Sequence, residues 1–208
     1  MLQIFILFLG LNLDSKIPYY YDPRIHNFGN IGIKGKMHAE IAYLSTKLID
    51  KLRYNNINIR SEIMSEYEGD SVLDFCCGIG ISTTKNGIGI DTSSEMLNVG
   101  KRIYPNKVFY NSNAETFKPD KKIDVVSCMF AFHEMPQEAH IKIINNAIQI
   151  AKKEVVIVDI ASNYVPKQIM LSGEPYLLDY LNNIDETLKS FNKTVYIDKH
   201  VNIWKYFP

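Results

Sequence analysis

Short apolar segments alternate with helical patterns along this chain, and this alternation constrains the fold more than any other feature. The apolar segments are residues 71–75, 87–91, 107–110, 123–130 and 155–160. Nearly continuous apolar runs of this length are typical of parallel strands covered on both faces. Residues 194–207 add two short strands around Lys199 and His200, which predict an antiparallel hairpin. We therefore predict an α/β fold: a doubly wound, Rossmann-like, mostly parallel seven-stranded sheet with a C-terminal antiparallel hairpin.

Three helix signals accompany the strands. Apolar residues recur every three to four positions through residues 37–53, which predicts an amphipathic helix with one buried face. Thr92 and Glu95 match a capping box at the start of another helix. Pro136 suits the first position of a third helix.

The N-terminal part differs from the rest and defines the predicted organisation. Residues 1–60 form a lead-in and cap, made of an aromatic loop and the helix at residues 37–53, and residues 61–208 form the main domain. The apolar run from Leu2 to Leu13 is too short to span a bilayer as a helix. A docked segment and a membrane contact through this run both stay open, and we expect a cytoplasmic location.

Charge and cysteine content exclude some function classes. The 23 basic and 23 acidic residues cancel, which argues against nucleic acid as the main partner. Cys76, Cys77 and Cys128 are an odd set with two neighbours in sequence, which suits neither a disulfide framework nor a zinc site. We expect reduced thiols and no metal.

The strongest functional signal is the glycine loop after the first predicted strand. Gly78 and Gly80 let the backbone turn tightly and approach a ligand, and Asp91 ends the next strand, where a carboxylate can accept both hydroxyls of a ribose. Thr83 stands where a dinucleotide-binding loop has its third glycine, which disfavours a nicotinamide cofactor. Residues 81–86 are too few for a normal crossover helix, so that helix must shrink to about one turn or the second strand must start late.

At these residues the sequence resembles the class I S-adenosylmethionine-dependent methyltransferases. VLDFCCGIGIST is similar to their first motif, GIGIDTSSEML to their second, NSNAETF to their adenine-side loop, and IDVVSCMFAFHEMP to the segment after their fourth strand. The CCG variant and FHEMP resemble small C- and O-methyltransferases of the ubiquinone and menaquinone type. The resemblance implies S-adenosyl-L-methionine as the cofactor.

The resemblance also implies a role for individual residues. The cofactor-binding residues it implies are Asp74, Cys76, Gly78 and Gly80 at the methionine end, Asp91, Thr92 and Met96 at the ribose, Asn113, Ala114 and Glu115 at the adenine, and Met129 near the sulfonium. Met96 fits the buried face of its helix equally well, and Glu115 fits a solvated loop. Cys76 replaces a glycine of the motif, so we expect the turn to avoid conformations that only glycine adopts cheaply.

Candidates for catalysis and substrate contact lie on both sides of this motif region. His133 is the candidate general base, although a structural role for it stays open, and Glu134 either orients His133 or caps the following helix. The substrate-side candidates are Tyr20, Tyr21, Arg24, His26, Phe130 and Phe132. The lead-in could form a lid or tie the N-terminus to the surface, and residues 170–176 could border the substrate.

The predicted function is methyl transfer from S-adenosylmethionine to an oxygen or carbon of a small apolar or aromatic molecule. An RNA or protein methyltransferase would use the same cofactor residues, and a basic groove beside His133 would favour it. A cofactor-binding domain without catalysis, acting as a regulatory subunit, is the second alternative. The oligomeric state is not determined by the sequence.

Overall fold

The computed structural model describes residues 17–208, so the apolar run from Leu2 to Leu13 lies outside the described residues. One sheet contains strands β1 (Val72–Phe75), β2 (Ile88–Asp91), β3 (Val108–Asn111), β4 (Ile123–Met129), β5 (Ala151–Ile160), β6 (Asn192–Ile197) and β7 (Val201–Tyr206). The helices are α1 (Gly32–Arg53), α2 (Ile59–Met64), α3 (Ser94–Ile103), α4 (Gln137–Ile150), α5 (Gln168–Leu171) and α6 (Leu177–Thr187). None of the helices between residues 17 and 208 combines the length and hydropathy that a bilayer crossing requires.

The sheet confirms the predicted fold class. Its strand order is β3-β2-β1-β4-β5-β7-β6, in which the first five strands pair in parallel and β7 runs antiparallel to both β5 and β6. The chain leaves β1 toward β2 on one side of the sheet and later returns to β4 on the other. Ligands of open α/β sheets bind at such a reversal point, outside the carboxyl ends of the strands.

The connection from β1 to β2 contains no helix. Residues 76–87 form a series of turns, so the helix expected in a parallel crossover is absent altogether from this link. Gly87 lies so close to Thr84 that a Cβ there would meet the Thr84 hydroxyl at 2.5 Å. Glycine at position 87 therefore allows the tight turn from Thr84 that leads into β2, in which its N–H donates to the Thr84 carbonyl at 3.1 Å.

Apolar side chains cover both faces of the sheet. On one face α4 and α6 pack against β4 and β5 around the fully buried ring of Tyr180. On the other face α2 packs Ile59 and Ile63 against the sheet with Val201. Burial on both faces explains why β1, β4 and β5 are nearly continuous apolar runs.

Helix α1 corrects one prediction. It begins at Gly32 rather than residue 37, and the apolar face expected to be buried is exposed: Leu44 is 67% and Leu52 70% accessible. The helix instead packs the small side chain of Ala39 against α3, beside Ile79 and Met96. Regular spacing identified the helix, but spacing does not determine which face meets the rest of the protein.

Two helix starts also differ from the predictions. The N-cap of α3 is Ser93, not Thr92: its hydroxyl accepts the N–H of Met96 at 3.1 Å. Pro136 is the N-cap of α4 rather than its first helical residue. Neighbouring serine and threonine both suit an N-cap, so sequence does not choose between them.

Candidate functional site

A cavity of about 600 Å³ lies at the carboxyl ends of the parallel strands. Residues of the lead-in and of α1 line it, together with the loops that follow β1, β2, β3, β4 and β5. Tyr19, Tyr20, His26 and Phe28 of the lead-in line this cavity, as expected of the predicted cap, and we call this part of the lead-in the cap. The volume lies in the range of small-molecule and cofactor sites.

Asp74, near the end of β1, stabilises the loop that follows this strand. Its carboxylate is fully buried and accepts the hydroxyls of Ser82 at 2.8 Å, Thr83 at 2.7 Å and Ser127 at 3.1 Å. Burial raises the pKa of Asp74, and these hydroxyl groups oppose that rise. Asp74 is not among the residues that line the cavity, its hydrogen bonds hold the loop in place, and its contact with the cofactor stays a prediction.

The glycine loop has three residues with positive φ. Gly78 (φ 54°) and Gly80 (φ 82°) adopt the left-handed region that suits glycine, and Cys76 also lies there, at φ 53°. The expectation that Cys76 avoids this region is therefore wrong. Cys76 and Gly78 line the cavity, whereas Gly80 packs against the ring of Phe109 and does not. A Cβ at Gly78 would point into open space, so glycine keeps the backbone accessible to a ligand.

Asp91 stands at the end of β2 with its carboxylate facing the cavity. Oδ2 accepts the N–H of Gly78 at 2.8 Å and Oδ1 accepts the N–H of Ser93 at 2.8 Å, which links the glycine loop to the start of α3. Burial raises the pKa of Asp91 to about 6, against the effect of these two N–H donors. Each oxygen keeps lone pairs for the hydroxyl groups of a ribose.

Most of the other predicted cofactor residues are brought together at the same cavity. Thr92, Met96, Asn113, Ala114 and Met129 all line it, and their contacts with a cofactor stay predictions. Glu115 does not line the cavity. Its carboxylate accepts the hydroxyl of Tyr19 at 2.8 Å and pairs with Lys142 at 3.3 Å, so it fixes the cap rather than remaining a solvated loop charge.

His133 lines the cavity after β4 and is paired with a carboxylate that sequence reasoning did not assign to it. Its Nδ1 lies 2.6 Å from Oδ1 of Asp159, and Oδ2 of Asp159 accepts the N–H of Phe132 at 2.8 Å. Burial lowers the pKa of His133, but the negative charge of Asp159 and its hydrogen bond outweigh burial and raise the pKa to about 9. Asp159 lies near the carboxyl end of an apolar strand, as Asp74 and Asp91 do, and this shared pattern could have revealed it.

Glu134 belongs to a different pair from the one predicted. Its Oε1 lies 3.9 Å from Nε2 of His133 but only 2.8 Å from Nε2 of His26, and Nδ1 of His26 lies 3.0 Å from Oε1 of Glu174. Burial lowers the pKa of His26, but Glu134 and Glu174 outweigh it and raise the pKa to about 11. Glu134 therefore joins the cap to the main domain instead of orienting His133.

The same cluster is a candidate cation site. One ligand atom from each of His26, Glu134 and Glu174 lies within 4.8 Å of the others. His26, however, directs one ring nitrogen to each carboxylate, which is the arrangement of an imidazolium between two anions. A metal ion would have to replace that proton and turn the ring.

The substrate-side candidates divide into two groups. Tyr20, His26 and Phe130 line the cavity. Tyr21 donates its hydroxyl to the carbonyl of Thr92 outside it, and Arg24 is paired with Asp22 at 2.6 Å with its side chain 67% exposed.

Phe132 is fully buried in the core, where its ring stacks on that of His140. Tyr21, Arg24 and Phe132 are thus not among the residues that line the cavity, and their contact with a substrate stays a prediction. From residues 170–176, Met170 and Glu174 line the cavity.

The thiols agree with the sequence prediction. Cys76, Cys77 and Cys128 are free, and Cys77 and Cys128 are buried. Burial is the largest cause that raises the pKa of Cys77, while the hydrogen bond with Cys76 is the largest for Cys128. Neither buried thiol has the lowered pKa that nucleophilic catalysis requires.

Comparison with known proteins gives the class of this fold and site. Residues 72–154 match the profile of a family described as a methyltransferase domain. A search among curated protein sequences finds no significant match.

Solved structures match over most of the chain. Magnesium protoporphyrin IX methyltransferase from Synechocystis PCC 6803, with bound S-adenosylhomocysteine, is 15% identical with a TM-score of 0.53, covering 91% of this chain and 95% of its own. A methyltransferase dependent on S-adenosylmethionine from Aquifex aeolicus is 18% identical with a TM-score of 0.56, covering 78% and 96%. A TehB-like methyltransferase from Corynebacterium glutamicum is 11% identical with a TM-score of 0.56, covering 82% and 97%. At these identities the likeness concerns the fold.

The matched domain and the fold around it define the class of protein. It is an enzyme of the methyltransferase type, and two of the solved structures that share its fold contain bound S-adenosylhomocysteine or S-adenosylmethionine. The cavity agrees with that cofactor, because an accessible glycine backbone and the Asp91 carboxylate lie in its wall.

Proposed function

We propose that this enzyme methylates an oxygen or carbon atom of a small apolar or aromatic molecule. The observation that carries the proposal is His133, which lines the cavity next to the residues proposed for the cofactor and is paired with the buried Asp159 behind it. The resemblance of the CCG and FHEMP segments to quinone-type methyltransferases supports the same acceptor class.

The bound cofactor supplies a methyl group that its sulfonium already activates. The protein then has to align the acceptor and, for a hydroxyl or an acidic carbon, remove a proton. Asp159 can hold only the Nδ1–H of His133, which leaves Nε2 as the proton acceptor. The N–H groups of Phe132 and Ile160 hold the Asp159 carboxylate, so the imidazole has one orientation.

The charges near His133 support a small molecule over RNA as the acceptor. Glu134 and Glu174 lie on the cap side of the cavity, and their charges act on His133. Among residues 17–208 the cavity is lined by two arginines, Arg53 and Arg60, and by no lysine, which is little positive charge for a phosphate backbone. Aromatic rings of Tyr20 and Phe130 in the wall suit an apolar acceptor instead.

A methyl-transfer screen tests this proposal. The full chain is incubated with tritiated S-adenosylmethionine and a panel of phenols, quinols, aromatic amines and a mixed RNA. We expect label in the phenols or quinols, and the label should require His133. Label confined to amines or RNA would refute the proposed acceptor class, although the enzyme would still be a methyltransferase.

A further inference from the structure

The face of α1 that points away from α3 is apolar along the whole helix. Its side chains recur at every third or fourth position and are 45% to 85% exposed: Ile33, Met37, Ile41, Leu44, Leu48 and Leu52. We call this row the apolar stripe. Gly35 and Ala39, on the opposite side of the helix, are buried. A row of exposed aliphatic side chains of this length indicates an interaction surface.

Positive charges accompany the apolar stripe. The cations of α1 are all exposed, and none forms an ion pair with a residue between 17 and 208: Lys34, Lys36, Lys47, Lys51 and Arg53. The two carboxylates of the helix leave this charge in place, because Glu40 pairs with Arg102 of α3 and Asp50 is buried. Lys47 and Lys51 lie one helical turn apart in the row next to the stripe. The surface of α1 therefore combines aliphatic side chains with an excess of positive charge.

A second exposed apolar segment borders the same cavity as α1. Val165 is 84% and Ile169 81% exposed, and both lie between Tyr164 and Met170, which line the cavity. Lys167, also exposed, stands between them. Residues of α1 line the cavity as well. Two segments at the cavity thus share the combination of exposed apolar side chains and lysine.

A bilayer with anionic lipids fits this surface better than the other occupants. A second copy of the chain in a two-fold contact would bring the same lysines face to face. The apolar run Leu2–Leu13 contains no carboxylate that could pair with them. A nucleic acid would leave the apolar stripe in water. An anionic bilayer provides both an apolar layer and negative headgroups, and basic amphipathic helices lie in that interface.

We propose that α1 binds to the surface of a membrane that contains anionic lipids. The apolar stripe enters the boundary between headgroups and acyl chains, and the lysines keep their ammonium groups at the lipid phosphates. The cavity, which α1 and the segment at residues 164–170 line, then lies beside the bilayer. This inference is independent of the proposed methyl acceptor, because it concerns the protein without cofactor or substrate.

Vesicle flotation tests the proposal. The full chain is mixed with vesicles of phosphatidylcholine alone or of phosphatidylcholine with phosphatidylserine, and the bound fraction is measured. We expect binding to the phosphatidylserine vesicles, and much weaker binding at high salt or to phosphatidylcholine alone. Leu44→Gln with Leu52→Gln should weaken binding about 100-fold or more, because two leucines lose their burial in the bilayer. Lys47→Gln with Lys51→Gln should weaken it about 10- to 30-fold.

Matched controls replace exposed residues of similar type elsewhere on the protein. They are Ile141→Gln with Leu178→Gln, on α4 and α6, and Lys121→Gln with Lys122→Gln, just before β4. Both control pairs should bind vesicles as the wild type does. All four double variants should keep the melting temperature of the wild type within a few degrees, because the replaced side chains are exposed.

Several results would overturn the proposal. One is the absence of binding to both kinds of vesicle, and another is equal binding to the two kinds. Binding that survives in both α1 variants would assign the membrane contact to another part of the chain, such as Leu2–Leu13. A wild-type dimer that Leu44→Gln with Leu52→Gln converts to a monomer, without any vesicle binding, would make the apolar stripe a contact between two copies instead.

Discussion

Nδ1 of His133 lies 2.6 Å from Oδ1 of Asp159, and both side chains are buried beside the cavity. An ionised carboxylate only accepts hydrogen bonds, so the proton of the neutral imidazole is on Nδ1. The neutral imidazole then has its lone pair on Nε2. This pair is the basis of the first two predictions.

Replacing His133 should separate catalysis from cofactor binding. We expect His133→Ala to lower kcat about 100-fold or more, the usual contribution of a general base. Binding of S-adenosylhomocysteine, measured by calorimetry, should change little because the proposed cofactor contacts lie on other elements. Asp198→Ala, in the exposed turn between β6 and β7, is the control. Unchanged turnover in His133→Ala would exclude His133 as the base.

The pH profile should report the pKa of His133. A base acts in its unprotonated form, so kcat/KM should rise with pH as His133 loses its proton, with a midpoint near the pKa of about 9. Asp159→Asn removes the charge with the largest raising effect on this pKa and leaves burial, which lowers it, against the smaller effects of Glu174 and Glu134. The rise should therefore move to lower pH, with a lower plateau.

Superimposable profiles of the wild type and Asp159→Asn would contradict this prediction. Asp185→Asn removes a surface carboxylate that pairs with Lys193 and should leave the profile unchanged.

Asp91 should control cofactor affinity and its pH dependence. Asp91→Ala should weaken S-adenosylhomocysteine binding about 10- to 100-fold, because hydroxyl donors would lose a charged acceptor. The pKa of Asp91 is raised to about 6, so the free protein carries this proton at lower pH. Hydroxyl donors favour the ionised form, so affinity should fall as pH decreases through 6. Asp120→Ala, an exposed control, should retain both the affinity and its pH dependence.

The ion pairs of His26 should hold the cap in place. The pKa of His26 is raised to about 11 in the folded protein, so its stabilising effect is complete below about 6.5, the unfolded value, and disappears as pH rises through 11. Glu134→Gln should lower the melting temperature and increase protease cleavage within the lead-in. The difference from the wild type should shrink between pH 8 and 11. Glu138→Gln, an exposed glutamate of α4, is the matched control.

Substitution by alanine should reduce the free energy of unfolding to different extents at the two glycines of this loop. Gly78→Ala has open space for its Cβ but must keep φ at 54°, which should cost about 1 kcal/mol of unfolding free energy. Gly80→Ala has the same backbone problem and its Cβ would overlap the Phe109 ring, so we expect a loss of about 2 to 4 kcal/mol. Urea unfolding measures both losses. Equal losses would show that the contact with Phe109 is not rigid.

The sequence alone determined the order of the elements and the cofactor end of the site. Apolar runs ending in Asp74 and Asp91 predict parallel strands, because only a sheet covered on both faces needs such runs. Glycines at 78 and 80 indicate a tight turn, because the requirement for positive φ restricts residue type locally. These signals lie within a few residues of each other and can be interpreted without knowledge of distant contacts.

Only the tertiary structure decided which side chains meet across the chain. His133 and Glu134 are neighbours in sequence, yet His133 pairs with Asp159 and Glu134 with His26. The apolar face of α1 is exposed because packing against α3 uses Ala39 instead. The guanidinium of Arg60 lies on the ring of Phe130, 70 positions further along the chain. Such contacts depend on how elements pack, and local spacing carries no information about residues a hundred positions apart.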